Sequence, residues 1–387
     1  MRSVVVTTPN TPSSPRVFAV IAGGGTAGHV IPALALAEHL GERGRSTRSI
    51  AFVASRRPID EQLLGATDHP RLLLSVDGFQ RSLTPRALAR SIIAVPKLVI
   101  ATARVTRQFR QWRPRVVVSV GGFASEPAVR AARALGIPVV VVSYDQHPGL
   151  ATRMQAKKAA AVATAFSGST LPGASHTGAP VRAAIRGVSR HGDDAASERA
   201  RVAREFDVDP ARLIVVAMGG SLGSQTVNDA VENFVLQHAS RGDLAVVHLA
   251  GERFMQTNFA LPANAQVQYA RVARHERMHD IWRIADVAVS RAGASTLAEL
   301  VTVGAPAVVV PWAQAADDHQ RRNADWLAQA GAALVVDEAD LADGFKRALA
   351  QLIDDTALRE RVAAKAYALG ALNRSSALGA LIESAAR

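Results

Sequence analysis

Cysteine is absent from all 387 residues, which excludes disulfides, thiolate catalysis and cysteine-ligated zinc. No apolar run approaches the roughly eighteen residues that a membrane span requires. The Val4 to Val6 patch in the Pro-, Ser- and Thr-rich opening segment is too brief for a signal-peptide core. The chain therefore reads as soluble and cytoplasmic. A third absence is local: from Arg81 to Arg115 there are nine basic residues and no acidic one. That window carries most of the formal net charge of +12, from Lys+Arg 45 against Asp+Glu 33. Such a balance favours anionic partners, whether nucleotides, nucleic acid or an acidic membrane surface. Hydrophobic residues at 48% mark a globular chain, and the length suits about two or three domains of ~150 residues.

The stretch Val17 to Leu40 passes from strand to glycine loop to helix. Val17, Val20 and Ile21 form an apolar run stopped by Gly23, Gly24 and Gly25, as expected of a strand buried on both faces. Ile31, Leu34, Leu36, Ala37 and Leu40 predict a buried helix with Pro32 in its first turn. Unpaired amides at such a helix start attract anions, and His29 stands at the junction. Gly23, Gly25 and Gly28 also match a dinucleotide fingerprint. That motif wants an acidic residue at the end of the second strand, here Ile50 to Ala54, and arginines 56 and 57 stand there instead. An NADP site remains the alternative.

Further strands are expected at Leu72 to Val76, Val116 to Val120 and Val139 to Val142. The loops at 23 to 29, 121 to 125 and 143 to 149 would then converge beyond the strand ends, where ligands of open α/β sheets bind. Between them, Arg86, Arg90, Lys97 and Arg104 fall within about 40° of one another on a helix turning about 100° per residue. They border the apolar run Ser91 to Ala103, and Pro96 would kink it. This pattern suits anionic headgroups, and equally a core helix with a solvated basic rim. After a charged segment from Arg186 to Asp209 the opening pattern restarts: strand Leu213 to Ala217, loop Gly219 to Gly223, helix Val227 to Leu236. Strand Val287 to Ser290 then leads into Arg291 to Thr296. Thr296 and Glu299 fit a capping box, or a diphosphate held at a helix start with a carboxylate one turn in for ribose hydroxyls. Strand Val308 to Val310 precedes Asp317, Asp318, His319, Gln320 and Asn323, which suit a sugar better than a metal. Alanine-rich helices, Leu341 to Ile353 and Leu358 to Ala386, close the chain.

The segments GGGTAGHVIPALALAEHL, VGGFAS, GGSLGSQTVN, SRAGASTLAEL and DDHQRRNA, in this order and spacing across roughly residues 17 to 380, resemble the MurG family. The resemblance implies an α/β chain with the GT-B glycosyltransferase fold, two Rossmann-like domains whose parallel sheets face each other across a cleft. Its parts would be a flexible segment 1–16, an acceptor and membrane-associating domain 17–186, a linker 187–210, a UDP-sugar donor domain 211–365, and a C-terminal helix 366–387 returning to the first domain. It implies transfer of N-acetylglucosamine from its UDP donor to undecaprenyl-pyrophosphoryl-N-acetylmuramyl pentapeptide in peptidoglycan synthesis, with inversion, at the cytoplasmic face of the membrane.

Residue by residue, Ser221 with Gly220, and Arg182, would contact the donor. Ser295 and Thr296 would hold its phosphates, Glu299 its ribose, and His319 with Gln320 its sugar; the backbone near His275 would read uracil. His29 is the first candidate for the base and Asp145 the second, and Thr26, Ala27, Gly28 and His29 would also contact UDP-N-acetylglucosamine. Gly24, Gly25, Gly121, Gly122, Gln146 and His147 would face the lipid acceptor, the glycine loop cradling its pyrophosphate. Neither metal nor cofactor is implied, and no nucleic acid. Two departures stand out: Arg274 and His275 replace an aromatic and aliphatic pair, and the loop Tyr144 to Gly149 is shortened, with His147 in place of asparagine. A relative acting on another lipid acceptor is the alternative.

Overall fold

The computed structural model describes residues 16–76, 85–190, 192–220 and 222–386, without the side chains of 85–95, 193 and 316. Two sheets organise it. The first holds β1 (Ala19–Ala22), β2 (Ile50–Ser55), β3 (Arg71–Leu74), β4 (Val116–Ser119), β5 (Val139–Ser143), β6 (Ala161–Thr164) and β7 (Ala174–His176), in the order β3-β2-β1-β4-β5-β6-β7. The second holds β8 (Leu213–Met218), β9 (Leu244–Leu249), β10 (Gln268–Val272), β11 (Val287–Ser290), β12 (Ala307–Val309) and β13 (Leu334–Val335), in the order β10-β9-β8-β11-β12-β13. Pairing is parallel in both. The valine-rich strands β4 and β5 are wholly buried, as β-branched residues covered on both faces should be. Sequence patterning missed β6, β7, β9, β10 and β13.

The helix after β1 runs Ala27–Glu42, four residues earlier than the apolar pattern predicts. Pro32 is therefore in its second turn, not its first. Having no N–H, Pro32 cannot bond the carbonyl of Gly28, and the Tyr144 hydroxyl donates to that oxygen instead, at 2.9 Å. The basic stripe lies on the helix Pro85–Trp112. Leu98, Ala101, Val105 and Phe109 bury its inner face. On the outer face Lys97 and Arg104 are exposed, together with Val99 at 62% and Ile100 at 68%. Arg86, Arg90 and Ile93 have no described side chains, and Phe79 and nearly all of 1–16 lie outside the described residues. No helix among the described residues is long and apolar enough to cross a membrane.

Segment 187–210, expected as a linker, carries the helix Asp193–Glu205. Arg199 ties it to Asp286 at 2.6 Å, and Val202 and Ala203 enter the core. The last expected helix is two: Thr356–Leu369, and Ala377–Ala385 beyond a short turn. The latter contacts β4, β5 and β6 of the first sheet, burying Leu378 and Ile382. Its Glu383 accepts from Arg43 and Arg45 at 2.7 and 2.9 Å.

Where the chain crosses back, buried Asn373 accepts from the Ala179 amide at 2.7 Å and donates to Ala298 O and Thr302 Oγ1. Asn373→Ala strands the Ala179 amide, so urea unfolding should show a loss of about 1–3 kcal/mol. An unchanged midpoint would mean that solvent replaces the side chain.

Candidate active site

In each sheet the order reverses direction beside the first strand, between β1 and β4 and between β8 and β11. Ligands of open parallel sheets bind at such switch points. The loops at the two points are 23–29 with 121–125, and 219–224 with 291–295.

In the first half, the Tyr144 hydroxyl spans Gly28 O and Val120 O, at 2.9 and 3.1 Å, joining all three strand-end loops. His29 is half-buried within this junction, its Nδ1 2.9 Å from Thr26 Oγ1. Its ring faces Gly121 and Gly122. A β-carbon on Gly122 would come within 3.3 Å of Nε2, and Gly122 has φ +73°, so glycine there leaves that nitrogen room. Desolvation lowers the His29 pKa, partly opposed by the charges of Asp145 and Asp60. A neutral imidazole that can accept a proton results.

One amide of this loop is already engaged within the protein. The Gly25 amide does not wait for an acceptor phosphate, because the buried Asp60 carboxylate takes it at 2.8 and 3.0 Å. Asp60 also accepts from Ser55 N and Oγ, while Arg57 donates to Gly25 O at 2.9 Å. The loop's anion is internal, and its charge disfavours a phosphate beside Gly24 and Gly25. The same arrangement disfavours NADP: the acid expected at the end of the second strand exists, a few residues later, and serves the loop. Ala27 and Gly28 remain as first-turn amides without an intrahelical acceptor.

In the second half, Ser224 caps the helix Gln225–Gln237, its Oγ accepting from Val227 N at 3.5 Å. Gly223 has φ +71°, and a β-carbon there would meet Ala250 O at 2.1 Å. Only glycine lets this loop turn. Buried Arg291, unassigned by sequence, donates to Ser224 Oγ at 2.6 Å and pairs with Glu338 at 2.5 Å. Glu338 in turn accepts from the Ala313 amide, so one ion pair braces three loops. Ser221 lies outside the described residues.

The helix Ala294–Val303 begins behind Gly293, with no side-chain cap. The capping box of Thr296 and Glu299 does not form, because Thr296 already lies inside the first turn. That leaves the amides of Ala294, Ser295 and Thr296 open to an anion. Glu299 instead accepts from the Trp282 indole N–H at 2.8 Å. Desolvation raises its pKa to about 7, against the opposing effects of Trp282 and Arg182. Arg182 is bound to Glu38 at 2.6 Å, between the halves. Gln320 turns back to the Trp312 amide at 3.0 Å, His319 is half-buried at the start of the helix His319–Gln329, and Asp317 and Asp318 are exposed.

Across the cleft, buried Asn323 accepts from the Gln146 amide at 2.9 Å and donates to Asp145 at 3.2 Å and Ala292 O at 3.3 Å. One side chain thus joins the 143–149 loop to the 291–296 loop. His275 tilts against Phe206, ring centroids 5.3 Å apart; its Nε2 is buried without a partner among the described residues. With Glu205 and Asp280 it forms the one group among them that could reach a metal ion. Arg277 pairs with both carboxylates, and Arg201 and Arg283 with Asp280, so the two carboxylates are engaged by guanidinium groups rather than set for a metal ion.

Residues 19–164 match the glycosyltransferase family 28 N-terminal domain, and residues 214–376 the family 28 C-terminal domain. The UDP-N-acetylglucosamine--N-acetylmuramyl-(pentapeptide) pyrophosphoryl-undecaprenol N-acetylglucosamine transferase of Acidothermus cellulolyticus is 34% identical, over 95% of this chain and 97% of its own. The transferase of the same name from Syntrophus aciditrophicus is 33% identical, over 93% and 96%. The crystal structure of Acinetobacter baumannii MurG superposes with a TM-score of 0.68 at 26% identity, covering 96% of this chain and 99% of that one. UDP-GlcNAc 2-epimerase from Neisseria meningitidis, with a TM-score of 0.62 at 14% identity, covers 95% and 98% and shares the fold alone. Two parallel-sheet halves, switch-point loops facing one cleft and likeness along nearly the whole length together place this GT-B chain in the MurG family of glycosyltransferases.

Proposed function

We propose that this chain transfers N-acetylglucosamine from UDP-N-acetylglucosamine to undecaprenyl-pyrophosphoryl-N-acetylmuramyl pentapeptide, the lipid-linked step of peptidoglycan synthesis. The observation that carries this reading is the Asn323 bridge. It sets the His29 junction, joined to Asp145 through Tyr144, against Ala292, two residues before the helix start assigned to the donor phosphates.

The acceptor hydroxyl oxygen attacks the anomeric carbon as the bond from that carbon to the UDP oxygen breaks, inverting the centre. His29 Nε2 takes the hydroxyl proton, and Asp145 stabilises the imidazolium that results. Negative charge growing on UDP meets the amides of residues 294–296 and the loop at Gly220. Glu299, as carboxylate, accepts from the ribose hydroxyls, and His319 with Gln320 lines the sugar's place. Val99 and Ile100, with Lys97 and Arg104, rest on the anionic inner surface of the membrane, apolar groups in the headgroup boundary and cations outside it. The protein is peripheral there.

The direct test is incubation with labelled UDP-N-acetylglucosamine and the lipid-linked muramyl acceptor. Label in the lipid is the expected outcome; donor binding without transfer would indicate another acceptor, in keeping with the altered 144–149 loop. His29→Ala should lower turnover by about 10²–10⁴ with donor affinity little changed, and near-normal turnover would remove it as the base. Because Asp145 raises and burial lowers the His29 pKa, activity should fall as pH drops through a value below the ordinary histidine range. Asp145→Asn should move that limb to still lower pH. For Glu299, with its pKa near 7, UDP affinity should strengthen from pH 6 to pH 8 as the carboxylate forms. Calorimetry on Glu299→Gln should find that dependence gone.

A further inference from the structure

Beside the acceptor loop lies a cavity of about 330 Å³ shared by both halves. Gln146 and His147 line it from the first half, and Arg322, Asp325, Trp326 and Gln329 from the second. The latter four recur at i, i+3, i+4 and i+7, so one face of the helix His319–Gln329 makes the wall. Trp326 stands edge-on to Phe166, ring centroids 4.7 Å apart, an aromatic contact that ties the halves together at this wall.

The charges in this wall are unequal. Asp325 is matched by Arg321 at 2.8 Å, whereas Arg322 has no carboxylate partner among the described residues. Its exposed guanidinium donates to His147 Nδ1 at 3.2 Å. Accepting there requires neutral His147 with its proton on Nε2, so the ring keeps an N–H donor of its own. A cation aimed across the gap, an imidazole N–H and two amide side chains suit a carboxylate carried on a flexible polar chain. None of these side chains bonds the loops assigned to the nucleotide, which lie at 219–224 and 291–296.

We propose that this cavity receives a carboxylate of the acceptor's peptide, with Arg322 as its principal reader and His147 holding the guanidinium in place; this rests on the transferase reading above. Reach is sufficient. Tyr144 is bonded to the residue before His29, and the three steps from Tyr144 to His147 span at most about 11 Å, while an extended pentapeptide reaches about 17 Å. The shortened loop gives His147 its part, because Pro148 and Gly149 follow at once.

Two acceptors separate this from a structural role: the muramyl lipid bearing its pentapeptide, and the same lipid without peptide, its lactyl carboxyl amidated. Arg322→Gln should raise KM for the peptide-bearing acceptor about tenfold, the worth of one charge-assisted hydrogen bond. Donor KM, and KM for the peptide-free acceptor, should stay as in the wild type, and Arg322→Lys should recover part of the loss. An equal rise with both acceptors, or none with either, overturns the site. Wild-type protein that transfers to neither acceptor overturns the transferase reading itself, and this inference with it.

Discussion

Parallel pairing is the constraint on which the rest depends. Parallel strands all end on the same edge of their sheet, so every loop that follows a strand opens on that edge. Where the order reverses, beside β1 and beside β8, two such loops part and leave a crevice. Two sheets set edge to edge across a cleft then bring four loop groups within reach of one substrate pair. In the proposed mechanism neither half suffices alone, since one would contribute the proton acceptor and the other the amides that receive the leaving charge.

Buried polar groups, each fully engaged, hold these loops still. Asp60 gathers the Gly25 and Ser55 amides, Tyr144 holds the carbonyl that Pro32 leaves unbonded, and Arg291 with Glu338 locks the loops around Ser224 and Ala313. In a low-dielectric interior such groups are costly when unpaired and firmly placed when paired. Transition-state stabilisation by backbone amides depends on that firmness, because amides already oriented need no reorganisation as charge moves.

Pairing also explains what substitution can and cannot reach. Gly122 and Gly223 sit where a β-carbon would meet His29 or the Ala250 carbonyl, so both loops are restricted by space as well as by conformation. Asn323 is restricted by connectivity: it serves Asp145, Gln146 and Ala292 together, and a change there would disturb both substrates' surroundings.

Local chemistry made much of this legible in the chain itself. Glycine runs closing apolar strands, His29 at a helix start, Glu299 one turn past small residues and the repetition of the pattern in the second half are properties of short segments, and short segments carry them into the fold. The sequence alone thus determined the class of fold, the two halves and the residue types at both loops. Tertiary structure decided what depends on partners distant in the chain: that Asp60 takes the Gly25 amide of the first glycine loop, that Trp282 and not a capping box holds Glu299, and that Arg322 meets His147 across the cleft. A hydrogen bond between residues 17, 35 or 175 positions apart leaves no periodicity in the sequence, because only folding brings its donor and acceptor together.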